Sequence, residues 1–257
     1  CIGQTISLNA AIGGSGTTVA WTNGGGLFTP NVNSLTPDYL PSNAENTAGS
    51  ALLTITVDDP DGAGPCSSVS DQVTITLYDT VQVSAGVDEI ICSDEDISLN
   101  GSIGGSAATA IWSSSGSGTF DNSSSLNAIY TPSAADLIAG SVDLLLTTDD
   151  PLGPCIESFD IVTYTFVEVP TADAGFDQDI CAGELANIIA TIGGTATSLS
   201  WSTSGTGTFD NASAAIAEYT PSVTDINNGS VTITLTTDDP SGVCGNTTDD
   251  LIINIFS

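Results

Sequence analysis

The chain has 257 residues, of which 31 are Asp or Glu and none is Lys, Arg, His or Met, for a formal charge of −31. With no side-chain cation there can be no side-chain salt bridge, so each carboxylate must be solvated, bonded to N–H or hydroxyl groups, or bound to a metal ion. Such a polyanion excludes nucleic acid and anionic lipid as main partners.

An extended lead-in comes first, Val81 to Ile91 in the middle of the chain, and then a Cys at 1, 92 and 181. After it, apolar residues alternate (Ile6, Leu8, Ala10, Ile12; Ile97, Leu99, Gly101, Ile103; Ala186, Ile188, Ala190, Ile192), which predicts a strand with one buried face. A Trp (Trp21, Trp112, Trp201) follows 20 residues after the Cys, and a Tyr (Tyr39, Tyr130, Tyr219) 18 after the Trp. These six aromatics are the expected core anchors. Between them, Gly116 to Asn122 reads as a hairpin-like segment around Phe120. Next comes Ser-x-x-acid (Ser42 and Glu45, Ser133 and Asp136, Ser222 and Asp225), a capping-box spacing that predicts one helical turn. A further strand ends in Asp-Asp-Pro, its Pro 21 residues after the Tyr, and leads to a second Cys (Cys66, Cys155, Cys244). The last strand is expected over Phe159 to Val169 in the middle copy.

This period of about 90 residues predicts an array of like units rather than parts of one site. The expected domains are 1–80, lacking its first strand, 81–169 and 170–257. Seven short strands per unit with regular turns predict an all-β immunoglobulin-like sandwich. A final strand of about 12 residues would make each unit roughly 40 Å long, and three in line an extended rod of about 120 Å. Carboxylates, hydroxyls and thiols leave only a two-carboxylate glycosidase as possible chemistry. Because the acids recur in every repeat, no enzyme and no catalytic residue is expected.

Ile-Cys, then Trp-Ser-x-x-Gly-x-Gly-Thr-Phe, then Tyr-Thr-Pro-Ser, then Thr-Thr-Asp-Asp-Pro-x-Gly-x-Cys resembles the Ig/PKD-like tandem repeats of giant secreted surface adhesins of Bacteroidota, including gliding-motility adhesins. The resemblance covers the whole chain and is strongest in the second and third repeats. It implies export by type IX secretion, extracellular cell-surface display and cell adhesion, with neighbouring repeats of the same long chain and surface glycans or other cells as partners. The expected function is a non-catalytic stalk or filament segment of an adhesin. The competing reading is a carbohydrate- or protein-binding extracellular module, against which stand only 15 aromatic residues, three of them Trp at core positions. No signal peptide or apolar membrane span is read, and a start in mid-repeat reads as a piece of a longer chain.

Six cysteines without His or C-x-x-C point to disulfides and an oxidising compartment. Pairing within repeats would join Cys1 to Cys66, Cys92 to Cys155 and Cys181 to Cys244. A disulfide needs Cα atoms within about 7 Å, whereas these positions sit at opposite ends of a sandwich. The alternative pairing crosses the joints, Cys1 with Cys155 and Cys92 with Cys244, leaving Cys66 and Cys181 to repeats outside this chain.

The acidic turns have two readings. Asp side chains accept local backbone hydrogen bonds beside a stiff Pro; or, with no cofactor otherwise required, Asp149, Asp150, Asp238 and Asp239 hold Ca²⁺, the last two facing Asp94, Glu95 and Asp96 across a joint. Asp79-Thr80-Val81 resembles an O-glycosylation site of Bacteroidota, with Thr80 the acceptor.

Overall fold

The computed structural model describes residues 1–22, 25–61, 64–151, 153–240 and 242–257. The two-residue excess in Asp61-Gly62-Ala63-Gly64 and the first-repeat hairpin at Thr22-Asn23-Gly24-Gly25-Gly26 fall partly on Gly62, Ala63, Asn23 and Gly24, outside the described residues.

In chain order the first set of elements is β1 (Ile6–Ser7), β2 (Val19–Thr22), β3 (Leu27–Thr29), β4 (Asp38–Leu40), α1 (Asn43–Ala48), β5 (Ser50–Val57) and β6 (Val69–Thr76). The second is β7 (Gln82–Ser84), β8 (Glu89–Cys92), β9 (Ile97–Ser98), β10 (Ser102–Gly104), β11 (Ala110–Ser114), β12 (Thr119–Phe120), β13 (Ile129–Thr131), α2 (Ala134–Ala139), β14 (Ser141–Thr148) and β15 (Phe159–Val167). The third repeats the second: β16 (Thr171–Asp173), β17 (Gln178–Cys181), β18 (Ala186–Ile189), β19 (Thr191–Gly193), β20 (Leu199–Thr203), β21 (Thr208–Phe209), β22 (Ile216–Thr220), α3 (Val223–Asn228), β23 (Ser230–Thr237) and β24 (Thr248–Phe256).

The fold is all-β and immunoglobulin-like. In the second set, a sheet of order β11-β14-β15-β8 packs on one of order β12-β13-β9, with β10 paired to β7. Alternation decides which face is inside: Val142, Leu144 and Leu146 of β14 are buried, as are Val162 and Tyr164 of β15. Trp112 lies opposite Leu146 in the antiparallel register of β11 with β14. Each such side chain contributes about 1.5–3 kcal/mol by leaving water. The lead-in does two jobs. Its first half, β7, runs antiparallel to β10, and its second half, β8, runs parallel to β15. Ala85, between them, is buried. The strand expected across Ile97 to Ile103 is interrupted, because β9 pairs with β13 while β10 pairs with β7. The last strand stops at Val167 and spans 9 residues, shorter than expected, because Val167 is the end of its pairing with β8 and Glu168 begins the linker to β16.

The Ser-x-x-acid spacings form helices of 6 residues, each with a complete capping box and a left-handed Gly at its C-terminal end. The cap Ser takes the backbone N–H three residues on and the acid returns the favour to the cap N–H. Each helix turns the chain from β4, β13 or β22 into the long strand that follows.

Three separate cores result. Among the described residues the core cluster of the third set joins fifteen buried apolar residues and that of the second twelve, whereas that of the first joins four, Trp21, Tyr39, Ala51 and Leu53. Among the described residues no strand pairs with the outer edge of β6 as β8 and β17 do with β15 and β24. As a result Val73 is 40% exposed where its counterparts Val162 and Leu251 are 0% and 1% exposed. Among the described residues no helix is long and apolar enough to cross a membrane.

Candidate functional site at the joints between units

Cys1 is bonded to Cys155, with Cα atoms 5.4 Å apart, and Cys92 to Cys244, with Cα atoms 5.3 Å apart. In each bond the first cysteine of one unit meets the second cysteine of the next. Cys66 and Cys181 are unpaired and exposed. Both cysteine positions are set by local hydrogen bonding. The turn after the first cysteine is closed by Gln4 N–H on the Cys1 carbonyl, Glu95 N–H on Cys92 and Glu184 N–H on Cys181. The second cysteine lies in the loop before β15 or β24, against the linker; the Cys155 sulfur is 3.4 Å from the Asp79 carbonyl oxygen and the Cys244 sulfur 3.6 Å from that of Val167.

The linker is gripped from the other side by the turn after β10 or β19. Gly105 (φ +68°) and Gly194 (φ +61°) sit where a Cβ would run into the carbonyl oxygens of Thr80 and Val169. A side chain there is barred both by the left-handed backbone and by the close approach. Thr195 Oγ1 donates to the Glu168 carbonyl at 3.0 Å, and Thr247 Oγ1 to that of Pro170 at 2.6 Å. Thr80, whose carbonyl Gly105 approaches closely, has an exposed side chain. Peptide mapping without reduction, after cleavage at Asp and Glu, is expected to recover Cys1 linked to Cys155 and Cys92 linked to Cys244. Only Cys66 and Cys181 should be alkylated. Recovery of Cys92 linked to Cys155 would contradict the structure.

The residues considered for Ca²⁺ do not fit it. Ca²⁺ takes six to eight oxygens, and among the described residues no three acidic or thiol side chains gather around one point. Asp149 Oδ1 accepts the N–H groups of Ala108 and Thr109, both at 2.9 Å. Asp238 does the same with Thr197 and Ser198, and Asp58 with Thr17 and Thr18. These bonds lower the carboxyl pKa in all three, Asp58 to about 2. The first Asp of each pair therefore ties the start of β2, β11 or β20 to the end of β5, β14 or β23. Asp239 accepts from Gly242 and Gly245 within its own loop. Asp150, Asp94, Glu95 and Asp96 face solvent. Asp238 and Asp239, expected to face residues 94–96 across the joint, accept N–H groups of their own unit.

Trp21, Trp112, Trp201, Tyr39, Tyr130 and Tyr219 are all buried. What spacing alone did not reveal is that each Tyr hydroxyl donates to the capping-box acid six residues later: Tyr39 to Glu45, Tyr130 to Asp136, Tyr219 to Asp225. Asp136, 3% exposed, also accepts N–H bonds from Ser117, Gly118 and Ser133 at 2.9 Å. Asp225, 1% exposed, has the matching donors Thr206, Gly207 and Ser222. A buried carboxylate is thus kept ionised without any cation. Desolvation pushes its pKa up, but the backbone and hydroxyl donors outweigh it and hold both Asp136 and Asp225 at about 2. Burial also raises the pKa of Tyr130 and Tyr219.

The sign for stability follows from that depression. A folded-state pKa below the unfolded value gives stability that is present above about pH 4 and lost as pH falls towards 2. Thermal melts between pH 6 and pH 2 are expected to be flat to about pH 4 and to fall steeply below it. Asp136→Asn should flatten that fall for the second unit, seen by hydrogen exchange.

No protein-family model and no curated protein matches this chain. Solved structures do. Three consecutive immunoglobulin domains of titin are similar over 93% of this chain and 88% of theirs, at 14% identity and a TM-score of 0.48. Human CDH23 EC21-23 is similar over 91% and 88%, at 13% identity and TM-score 0.44. Extracellular cadherin domains 1-4 of protocadherin gamma B7 are similar over 99% and 72%, at 16% identity and TM-score 0.41.

Proposed function

We propose that this chain is a non-catalytic stalk segment of an extracellular surface adhesin, three immunoglobulin-like units bounded at 80/81 and 169/170 and displayed at the cell surface. The observation that carries the reading is the cross-joint disulfide. A bond within a unit would stabilise only that unit, whereas Cys1–Cys155 and Cys92–Cys244 fasten each unit to the next. That is what a tether needs and what a single binding domain does not. The pair of bonds also supports an oxidising, extracellular setting.

Charge fits the same role. A formal −31 with no cation keeps neighbouring segments apart and disfavours collapse of one unit onto another. The resemblance to Bacteroidota repeats supports export by type IX secretion and a part in gliding motility, with surface glycans or other cells engaged by the larger adhesin.

A glycan array probed with the whole chain tests the reading. No selective binding is expected; selective binding at micromolar concentration would overturn the stalk in favour of a carbohydrate-binding module. Small-angle scattering adds a second readout, since reduction of the joints should broaden the distribution of interatomic distances while far-ultraviolet circular dichroism stays unchanged.

A further inference from the structure

The middle unit carries an apolar band on the outward face of the sheet β11-β14-β15-β8. Ile111, Phe159 and Ile161 are 57%, 65% and 48% exposed. They alternate with the buried Trp112 and Val162, so they point away from the core. The register sets half-buried Leu145 opposite Ile161, and Thr147 between Ile111 and Phe159.

The matching positions in the flanking units are small or polar: Ala20, Thr54, Ser70 and Gln72 in the first, Ser200, Thr234, Thr248 and Asp250 in the third. Single apolar residues on those faces, Leu52 and Ile252, each lie opposite a threonine. The fold does not need the band. In the first unit Gln72 Nε2 donates to Thr54 Oγ1 at 3.2 Å and the Thr56 and Ser70 hydroxyls are 3.3 Å apart, where the middle unit sets Leu145 against Ile161 and Thr147 against Phe159. Apolar side chains gathered in water on one repeat only mark a contact surface.

Carboxylates bracket this band along the strands. Exposed Asp143 lies at one end on β14, where its Oδ1 accepts the Thr163 hydroxyl at 2.7 Å, and Asp88 accepts the Thr163 N–H beside it at 2.9 Å. Asp149 and exposed Glu157 lie at the other end. Six residues separate Asp143 from Asp149, about 20 Å along a strand.

We propose that this face docks a basic segment of another protein, an apolar stripe with Lys or Arg at both ends. Charge selects that occupant. A second copy would bring a further −31 with no side-chain cation to set against the bracketing acids, and like charges across an interface cost affinity. Nor do four side chains against four reach the roughly 800 Å² per partner of a stable complex. A basic partner adds a rim of opposite charge around the apolar centre. The site lies on the middle unit alone and adds to the stalk reading without depending on it.

The test uses a synthetic amphipathic helix of about 14 residues, about 20 Å long, with Leu along one face and Lys in its first and last turns. It is titrated against the whole chain and against a variant carrying Ile111→Ala, Leu145→Thr, Phe159→Ser and Ile161→Gln. These are the residues that the first unit bears at the same places, and they leave the net charge unchanged. The parent chain is expected to bind at least about 10-fold more tightly, as several apolar contacts are lost in the variant. Phe159→Ser alone, a change at a largely exposed side chain, should lose part of that affinity with an unaltered melting curve. A peptide with Glu for Lys should bind at least about 10-fold more weakly. Amide exchange should slow over residues 143–147 and 159–163 and not over 232–236 and 248–252. The proposal is overturned if the peptide does not bind, if the four-residue variant binds it equally, or if the Glu peptide binds as well as the Lys peptide. It is also overturned if the parent chain, and not the variant, dimerises in sedimentation, since the occupant would then be a second copy.

Discussion

Asp225→Ala is expected to lower the unfolding free energy of the third unit by about 4 kcal/mol, the sum of several donors each worth about 1–3 kcal/mol when left buried and unmatched. The carboxylate takes bonds from Tyr219 Oη, Ser222 N–H, Gly207 N–H and Thr206 N–H, all between 2.8 and 3.0 Å. It also closes the capping box of α3. In most proteins part of such a loss would be a broken ion pair. Here no Lys, Arg or His exists, so the whole effect is the removal of an acceptor. Asp225→Asn keeps one acceptor oxygen and turns an NH₂ towards N–H groups, and should cost about half as much. Hydrogen exchange resolved by unit measures both; a loss under about 1 kcal/mol for the Ala variant would mean that water replaces the carboxylate freely.

Trp201→Ala should be nearly as damaging, at about 3–5 kcal/mol, as the large cavity left in a fifteen-residue core has no room to close. Its indole N–H donates to the Ala214 carbonyl at 2.9 Å. Trp112 occupies the same place in the second unit, yet its indole nitrogen is buried with no hydrogen-bond partner among the described residues. Trp201→Phe should therefore cost about 1 kcal/mol more than Trp112→Phe, the worth of one neutral hydrogen bond. Trp21 belongs to a core cluster of four buried residues and borders a cavity of roughly 720 Å³, where neighbours can move in. Trp21→Ala should cost least of the three Ala variants. Calorimetry on the single variants, compared under oxidising conditions, ranks them; equal losses in all three would contradict the difference between the cores.

The strands, turns and caps were legible because each leaves a local mark. Alternation in Val142, Leu144 and Leu146 gives a one-sided strand, and Ser133 three residues before Asp136 gives a cap. The choice between cysteine pairings needed only the length of a sandwich against the reach of a disulfide. The fate of the acids was not legible. Whether Asp238 holds a cation or the N–H groups of Thr197 and Ser198 depends on how a loop 40 residues earlier approaches it, and no local spacing encodes that approach. The buried hydroxyl–carboxylate pair was hidden for a different reason. Tyr219 reads as core and Asp225 as cap, and only their fixed separation of six residues in every repeat joins the two roles.

The two disulfides are interleaved rather than nested: Cys92 lies between Cys1 and Cys155, and Cys155 lies between Cys92 and Cys244. Under tension at its two ends, the oxidised chain carries force from Cys1 across to Cys155, backwards through the middle unit to Cys92, across to Cys244 and out to Ser257. That path holds about 76 residues of backbone, so at roughly 3.4 Å per residue it can lengthen to about 260 Å, against about 870 Å for the reduced chain. Residues 2–91 and 156–243 hang beside the path as slack that force cannot draw out. Two parts are open to rupture, the middle unit, loaded against the direction of the chain, and β24, which lies between Cys244 and Ser257 and would be peeled from β23 and β17, and a reductant is expected to more than triple the extension recorded before the molecule goes taut.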